Sequence, residues 1–266
     1  MTFNGKNLSF HPRLAAGLDL VLGLVFLWWL GQIGEWWMLM LWAALRLGLW
    51  VLLVRLAYFS GKINRWSHFL SLAVFGLGAL LLLMFIEWVG AWYAVAFCFV
   101  VFPALSFWFL PAKEVEFSFE FKPYRRWRFL LSIFGLMGIG SGLLATAAFQ
   151  LFYNINNAVW WVALALASTA LALWWWHEYG VAWNRMMAIW LGAFFVLMFE
   201  LVGILMLRPI GFLASGLILI WWWYILWLLI RFHLSPGGII WKKQQWFLAV
   251  NAVAMILFLL LGVRWK

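Results

Sequence analysis

About nine stretches of this chain run for some twenty residues with almost no charge. That is the length a helix needs to cross the hydrocarbon of a bilayer. They lie at 14–34, 36–59, 67–89, 91–110, 129–152, 157–178, 184–207, 210–232 and 246–263. Lipid offers no partner to a backbone N–H or C=O, so each such run predicts an α-helix. The expected fold class is therefore all-α: a polytopic transmembrane helix bundle of about nine spans, one integral membrane domain over 1–266. The stretch 111–128 is expected as one short, extended cytoplasmic loop.

Composition agrees. The 266 residues are 68% hydrophobic and 10% charged, against roughly half and a quarter in a soluble domain. A water-soluble fold with these residues would have to expose large apolar patches. Trp occurs 25 times and Phe 26 times. Trp favours the membrane–water interface, where its ring is buried and its N–H finds a partner. The first apolar run is too long for a cleavable leader and is expected to remain as its own insertion signal. The single cysteine, Cys98, has no partner for an intrachain disulfide and reads as a small packing residue.

A net charge of +10 could suggest nucleic acid. The distribution of the charge argues otherwise. If the spans alternate, Lys6, Arg13, Lys62, Arg65, Lys113, Lys122, Arg125, Arg126, Arg128, Arg185, Lys242 and Lys243 all fall on one side. The other side receives Glu35, Glu87, the uncharged "YNINN", Arg208 and the tail "RWK". Basic loops mark the cytoplasmic side, so the N-terminus is expected inside and the C-terminus outside.

Four ionisable residues within spans are candidates for pairing: Asp19, Arg55, Arg46 and Glu200. At about 1.5 Å per residue, Asp19 sits roughly 8 Å and Arg55 roughly 6 Å from the cytoplasmic end of adjacent antiparallel helices. They are a candidate pair, although Arg55 could also reach the headgroups alone. Arg46 lies roughly 15 Å from the outer end of span two, and Glu200 roughly 10 Å below the same surface. Arg46 has Trp42 and Trp50 at i−4 and i+4 on its own face, and indole faces hold guanidinium groups. Arg46 is thus expected to point inward, flanked by these rings, and to pair with Glu200. A lone charge at mid-depth costs at least ~2.5–3.5 kcal/mol, so a partner is favoured.

Two further stretches stand out. In "GLMGIGSGLLATAAF", Gly138, Gly142 and Thr146 recur every four residues and predict a small-residue face for close helix packing. It sits inside an apolar run and lacks the Lys-Ser/Thr of a phosphate loop. In "KEVEFSFEFK", 113–122, Val115, Phe117, Phe119 and Phe121 alternate with acids and serine. Period two predicts an extended segment with one apolar face, lying against headgroups or a partner strand. Arg125, Arg126 and Arg128 in the following "KPYRRWR" are expected to form a basic collar on anionic lipid.

No catalytic residue, cofactor site or metal site is assigned. His11, His68, His177 and His233 stand near helix ends rather than mid-span, and no HExxH, CxxC pair, nucleophile elbow or Walker motif occurs. "FELVGILMLRP" in a late span, "WKKQQW" before the last span and the terminal "VRWK" resemble the plan of uncharacterised eight- or nine-span bacterial membrane proteins. That resemblance covers the second half of the chain. It implies a bacterial cytoplasmic (inner) membrane and transfers no functional residue. The functional expectation is a non-catalytic membrane subunit or scaffold, with membrane lipids and other membrane proteins as candidate partners and no nucleic acid. The alternative is a transporter or lipid-handling permease using Arg46 and Glu200.

Overall fold

The computed structural model describes residues 11–57, 65–110, 121–149, 156–207, 210–235 and 237–262. Among them lie nine α-helices: α1 (Pro12–Leu30), α2 (Trp36–Ala57), α3 (Arg65–Phe85), α4 (Val89–Trp108), α5 (Phe121–Ala148), α6 (Asn157–Glu178), α7 (Arg185–Leu207), α8 (Phe212–Leu234) and α9 (Trp241–Leu257). A π-helical turn, Phe258–Gly262, continues α9. Eight of the helices are long and apolar enough to cross a membrane. The ninth expected span falls on a shorter apolar helix, Gln244–Leu260. The chain is an all-α bundle and an integral, multi-pass membrane protein.

The helices fall into two compact units, Met1–Gly135 and Leu136–Lys266, and α5 contributes to both. In the first unit α1 packs most extensively on α4, α3 also packs on α4, and α2 lies against α1 and α3. In the second, α6 packs on α7, and α8 meets both. α9 joins α8 where Trp221 Nε1 donates to Asn251 Oδ1 at 2.8 Å.

Glycine lets helix backbones close up within each unit. A Cβ added at Gly78 of α3 would fall onto the backbone of Gly135 in α5, and one at Gly135 would meet the backbone of Val74 and Phe75. In the second unit a Cβ at Gly216 of α8 would meet Ser141 Oγ and, at 3.0 Å, Met137 O. The expected small-residue face, Gly138, Gly142 and Thr146, is buried, and Thr146 Oγ1 donates to Gly142 O of its own helix at 2.8 Å. A close backbone approach also lies at Gly135, one turn earlier.

Tryptophan takes two positions. Trp36, Trp66, Trp88, Trp108, Trp183 and Trp241 stand exposed at or beside helix ends, as interface anchoring requires. Trp50, Trp175, Trp176, Trp223 and Trp227 are instead fully buried among the helices. Some of their N–H groups reach internal acceptors: Trp223 Nε1 donates to Ser168 O at 2.8 Å and Trp176 Nε1 to Trp227 O at 3.2 Å.

Part of the stretch 111–128, expected as a loop, is helix. α5 begins at Phe121, so 121–128 are helical. Pro123 is tolerated there because the first turn of a helix has no internal acceptor for its N–H. Within the alternating segment, Phe121 and Lys122 open the helix; Val115, Phe117 and Phe119 lie outside the described residues.

Candidate functional site

Arg46 faces inward, as its tryptophan neighbours suggest, and is 1% exposed. Its partner is Asp19 of α1, with Nη2 3.0 Å from Oδ1. The pairings expected from depth are therefore corrected. The carboxylate at Arg46 is Asp19 rather than Glu200, and Asp19 is not paired with Arg55, which is exposed near the end of α2. The bounds of α1 explain this. It ends at Leu30, four residues before the expected end of the span. Counted from the turn joining α1 and α2, Asp19 then lies roughly 17 Å down and Arg46 roughly 15 Å down. The two charges share a level.

The setting of the pair is aromatic. The guanidinium carbon lies 4.6 Å from the ring centroid of Trp50, 5.4 Å from Phe26 and 5.5 Å from Phe99. Trp50 holds both charges, since its Nε1 also donates to Asp19 Oδ1 at 2.9 Å. Trp42 acts one layer out: it stacks on Phe99 at 5.6 Å, meets Phe26 edge-on at 5.6 Å, and donates to Phe26 O at 2.8 Å. Glycines make the space. A Cβ at Gly23 would stand 3.3 Å from Val100 Cα and 3.5 Å from Arg46 Nη2, and one at Gly76 would enter the Trp50 ring. Arg46 Nε and Nη1 and Asp19 Oδ2 find no hydrogen-bond partner among the described residues; ring faces surround the cation instead. The arrangement binds α1, α2 and α4 together and leaves no opening to the charges.

A second polar cluster lies between α3, α4 and α5. Arg128 is buried, which corrects its place in the lipid collar. Because α5 starts early, Tyr124, Arg128, Leu131 and Gly135 fall on one inward face at i, i+4, i+7 and i+11. Arg128 Nε donates to Ser71 Oγ at 3.3 Å, its Nη2 donates to Ser67 Oγ, and its guanidinium lies 5.3 Å from the Tyr124 ring. Arg126 is exposed and Arg125 half-buried. His68 is also buried rather than interfacial, with Nε2 2.9 Å from Ser106 Oγ. Ser106 gives its one hydroxyl proton to Pro103 O at 2.6 Å, so His68 donates from Nε2. This cluster surrounds Pro103, whose ring removes a backbone donor inside α4. Trp127 Nε1 donates to Phe102 O at 2.9 Å beside it. Sequence reasoning missed the cluster. Ser67 and Ser71 at i and i+4, facing Arg128 and Ser132 at the same spacing, were the available signal.

Glu200 stands exposed on α7, seven residues before the helix ends. Its neighbours on that face are Val196, Leu197 and Ile204, also exposed. Among the described residues no three His, Cys, Asp or Glu side chains gather as a metal group would. Comparison with protein-family models, curated proteins and solved structures finds no match.

Proposed function

We propose that this protein is a non-catalytic subunit of a bacterial cytoplasmic membrane, of the uncharacterised eight- or nine-span kind it resembles, and that it acts by seating a partner membrane protein on α7. One observation carries this reading. Glu200 is a carboxylate about 10 Å inside an apolar helix, turned outward among Val196, Leu197 and Ile204, with no ion-pair partner among the described residues. A carboxylate facing acyl chains there costs about 2.5–3.5 kcal/mol. A partner helix offering a cation or hydrogen-bond donor removes that cost. Orientation with the N-terminus inside is supported by the first unit: Arg13, Arg55, Arg65, Lys122, Arg125 and Arg126 collect at one set of helix ends, and Glu35 and Glu87 at the other.

The permease alternative needs Arg46 to meet a solute, and Arg46 is sealed by Asp19 and three rings. A photocrosslinking residue placed at Ile204 tests the proposal in native membranes. A discrete protein adduct is expected at Ile204, absent at the exposed Leu77 of α3, and lost on adding Glu200→Leu. Adducts to lipid alone, or a protein adduct indifferent to Glu200, overturn it.

A further inference from the structure

The loop ends of α2 and α3 enclose a groove of about 360 Å³ lined by Val51, Val54, Arg55, Arg65, Trp66 and Phe69. Arg55 is three residues from the end of α2, counting that end, and Arg65 is the first residue of α3. Both guanidinium groups are therefore at the level where helices leave the hydrocarbon. Both are exposed, and neither has an ion-pair partner among the described residues. The seven residues between the helices, 58–64, contain no acid and one lysine. The rest of the lining is apolar: Val54 is 2% exposed and closes the base, and Trp66, 74% exposed, meets Phe69 edge-on at 6.2 Å.

We propose that this groove binds an anionic phospholipid. The phosphodiester sits between Arg55 and Arg65, and an acyl chain runs along Val51, Val54 and Phe69. A second negative charge or the lack of an ammonium in the headgroup distinguishes the preferred lipid, because two cations are poorly matched by a zwitterion. Guanidinium groups suit the task, since each presents paired N–H donors to phosphate oxygens. Basic pockets between spans on the cytoplasmic side recognise headgroups in this way. Trp66 stands where an indole ring meets the glycerol region. The proposal rests on the membrane placement of the chain and not on the scaffold role, so the outcome at Glu200 does not bear on it.

The full chain, purified in detergent and stripped of lipid, is titrated with dioleoyl-phosphatidylglycerol or dioleoyl-phosphatidylcholine and read by native mass spectrometry. Preferential retention of phosphatidylglycerol is expected. Arg55→Gln and Arg65→Gln should each weaken it about fivefold, and the two together about twenty-five-fold, from the strength of one basic residue near an anionic surface. Arg13→Gln, exposed at the same end of the unit but outside the groove, should leave it unchanged. Val51→Trp fills the groove with both arginines in place and should also weaken binding; it decides the matter if the paired glutamines impair folding. Equal binding of phosphatidylcholine, unchanged binding in the double variant or in Val51→Trp, or an equal loss with Arg13→Gln overturns the site. Displacement of the lipid by equimolar inorganic phosphate would show a free-anion site and overturn it as well.

Discussion

The first unit buries Asp19, Arg46, His68 and Arg128. The polar side chains buried in the second, among the described residues, are the hydroxyls of Ser141, Thr146, Ser168, Thr169 and Ser215. Its other internal donors are indoles, such as Trp223 on Ser168 O and Trp176 on Trp227 O. Trp223 and Trp227 stack at 6.0 Å with planes 8° apart. Both units face the same difficulty. Lipid is as apolar as leucine, so burying leucine between helices gains little, and association relies on packing and hydrogen bonds. The first unit uses charges matched across helices. The second uses flat rings that fill space, two of which tie a backbone carbonyl. Charges give a contact that only one register satisfies, at the risk of a large loss if one partner goes. Rings give many modest contacts, none of them indispensable.

That contrast can be broken most directly at Asp19 and Arg46. Arg46→Met leaves a buried carboxylate alone and should destabilise the protein by about 3–5 kcal/mol, with Asp19→Leu similar. Asp19→Leu with Arg46→Met should be far milder than the sum. Reversible unfolding in mixed micelles measures the cycle, and strict additivity would remove the pair as a unit. Next comes Gly78→Ala. Its methyl would meet backbone at Gly135, which has nowhere to go, and should cost about 3 kcal/mol, against about 1 kcal/mol for Gly216→Ala, where Ser141 can rotate. Equal losses would mean that both contacts relax alike.

A finer comparison uses one substitution in both units. Trp50→Phe and Trp223→Phe remove the same ring volume and one N–H each. Trp50 donates to a carboxylate, so its loss should cost about 2 kcal/mol, and Trp223 donates to a neutral carbonyl, so about 1 kcal/mol. Indistinguishable values in the same unfolding assay would show that the charge of the acceptor is not felt. The smallest effect is expected at Glu200→Leu, which should change the stability of the purified protein by no more than about 0.5 kcal/mol. A large loss would place that carboxylate in a structural contact.

The helices were legible because lipid demands them. Apolar runs of the right length have no other way to satisfy their backbone. The inward aim of Arg46 was legible for a local reason, its tryptophans at i±4. Its partner was not. Asp19 was counted from the cytoplasmic end and Arg46 from the outer end of spans expected at 14–34 and 36–59. Only when both are counted from the turn between Leu30 and Trp36 do they share a level. The buried Arg128 was hidden by the same kind of error at the other end of a helix. "KPYRRWR" looks like a collar until Phe121 starts the helix, and then a 100° step per residue carries Arg128 inside while Arg126 stays out. The close approach at Gly78 and Gly135 was illegible in one helix alone, because each glycine is tight only against the backbone of the other helix.

The pairing of Asp19 with Arg46 also sets an order of events at the ribosome. Arg46 follows Asp19 by 27 residues, and chains grow at about 5–20 residues per second. For about one to five seconds, then, α1 exists with its carboxylate and without the cation that answers it. A first helix that committed to lipid in that interval would carry the whole burden of an isolated charge. A helix that waits at the insertion channel until α2 emerges can leave as a hairpin with the charges already matched. The position of one aspartate thus favours entry of the first two spans together, and translation speed through residues 20–46 becomes a variable of assembly.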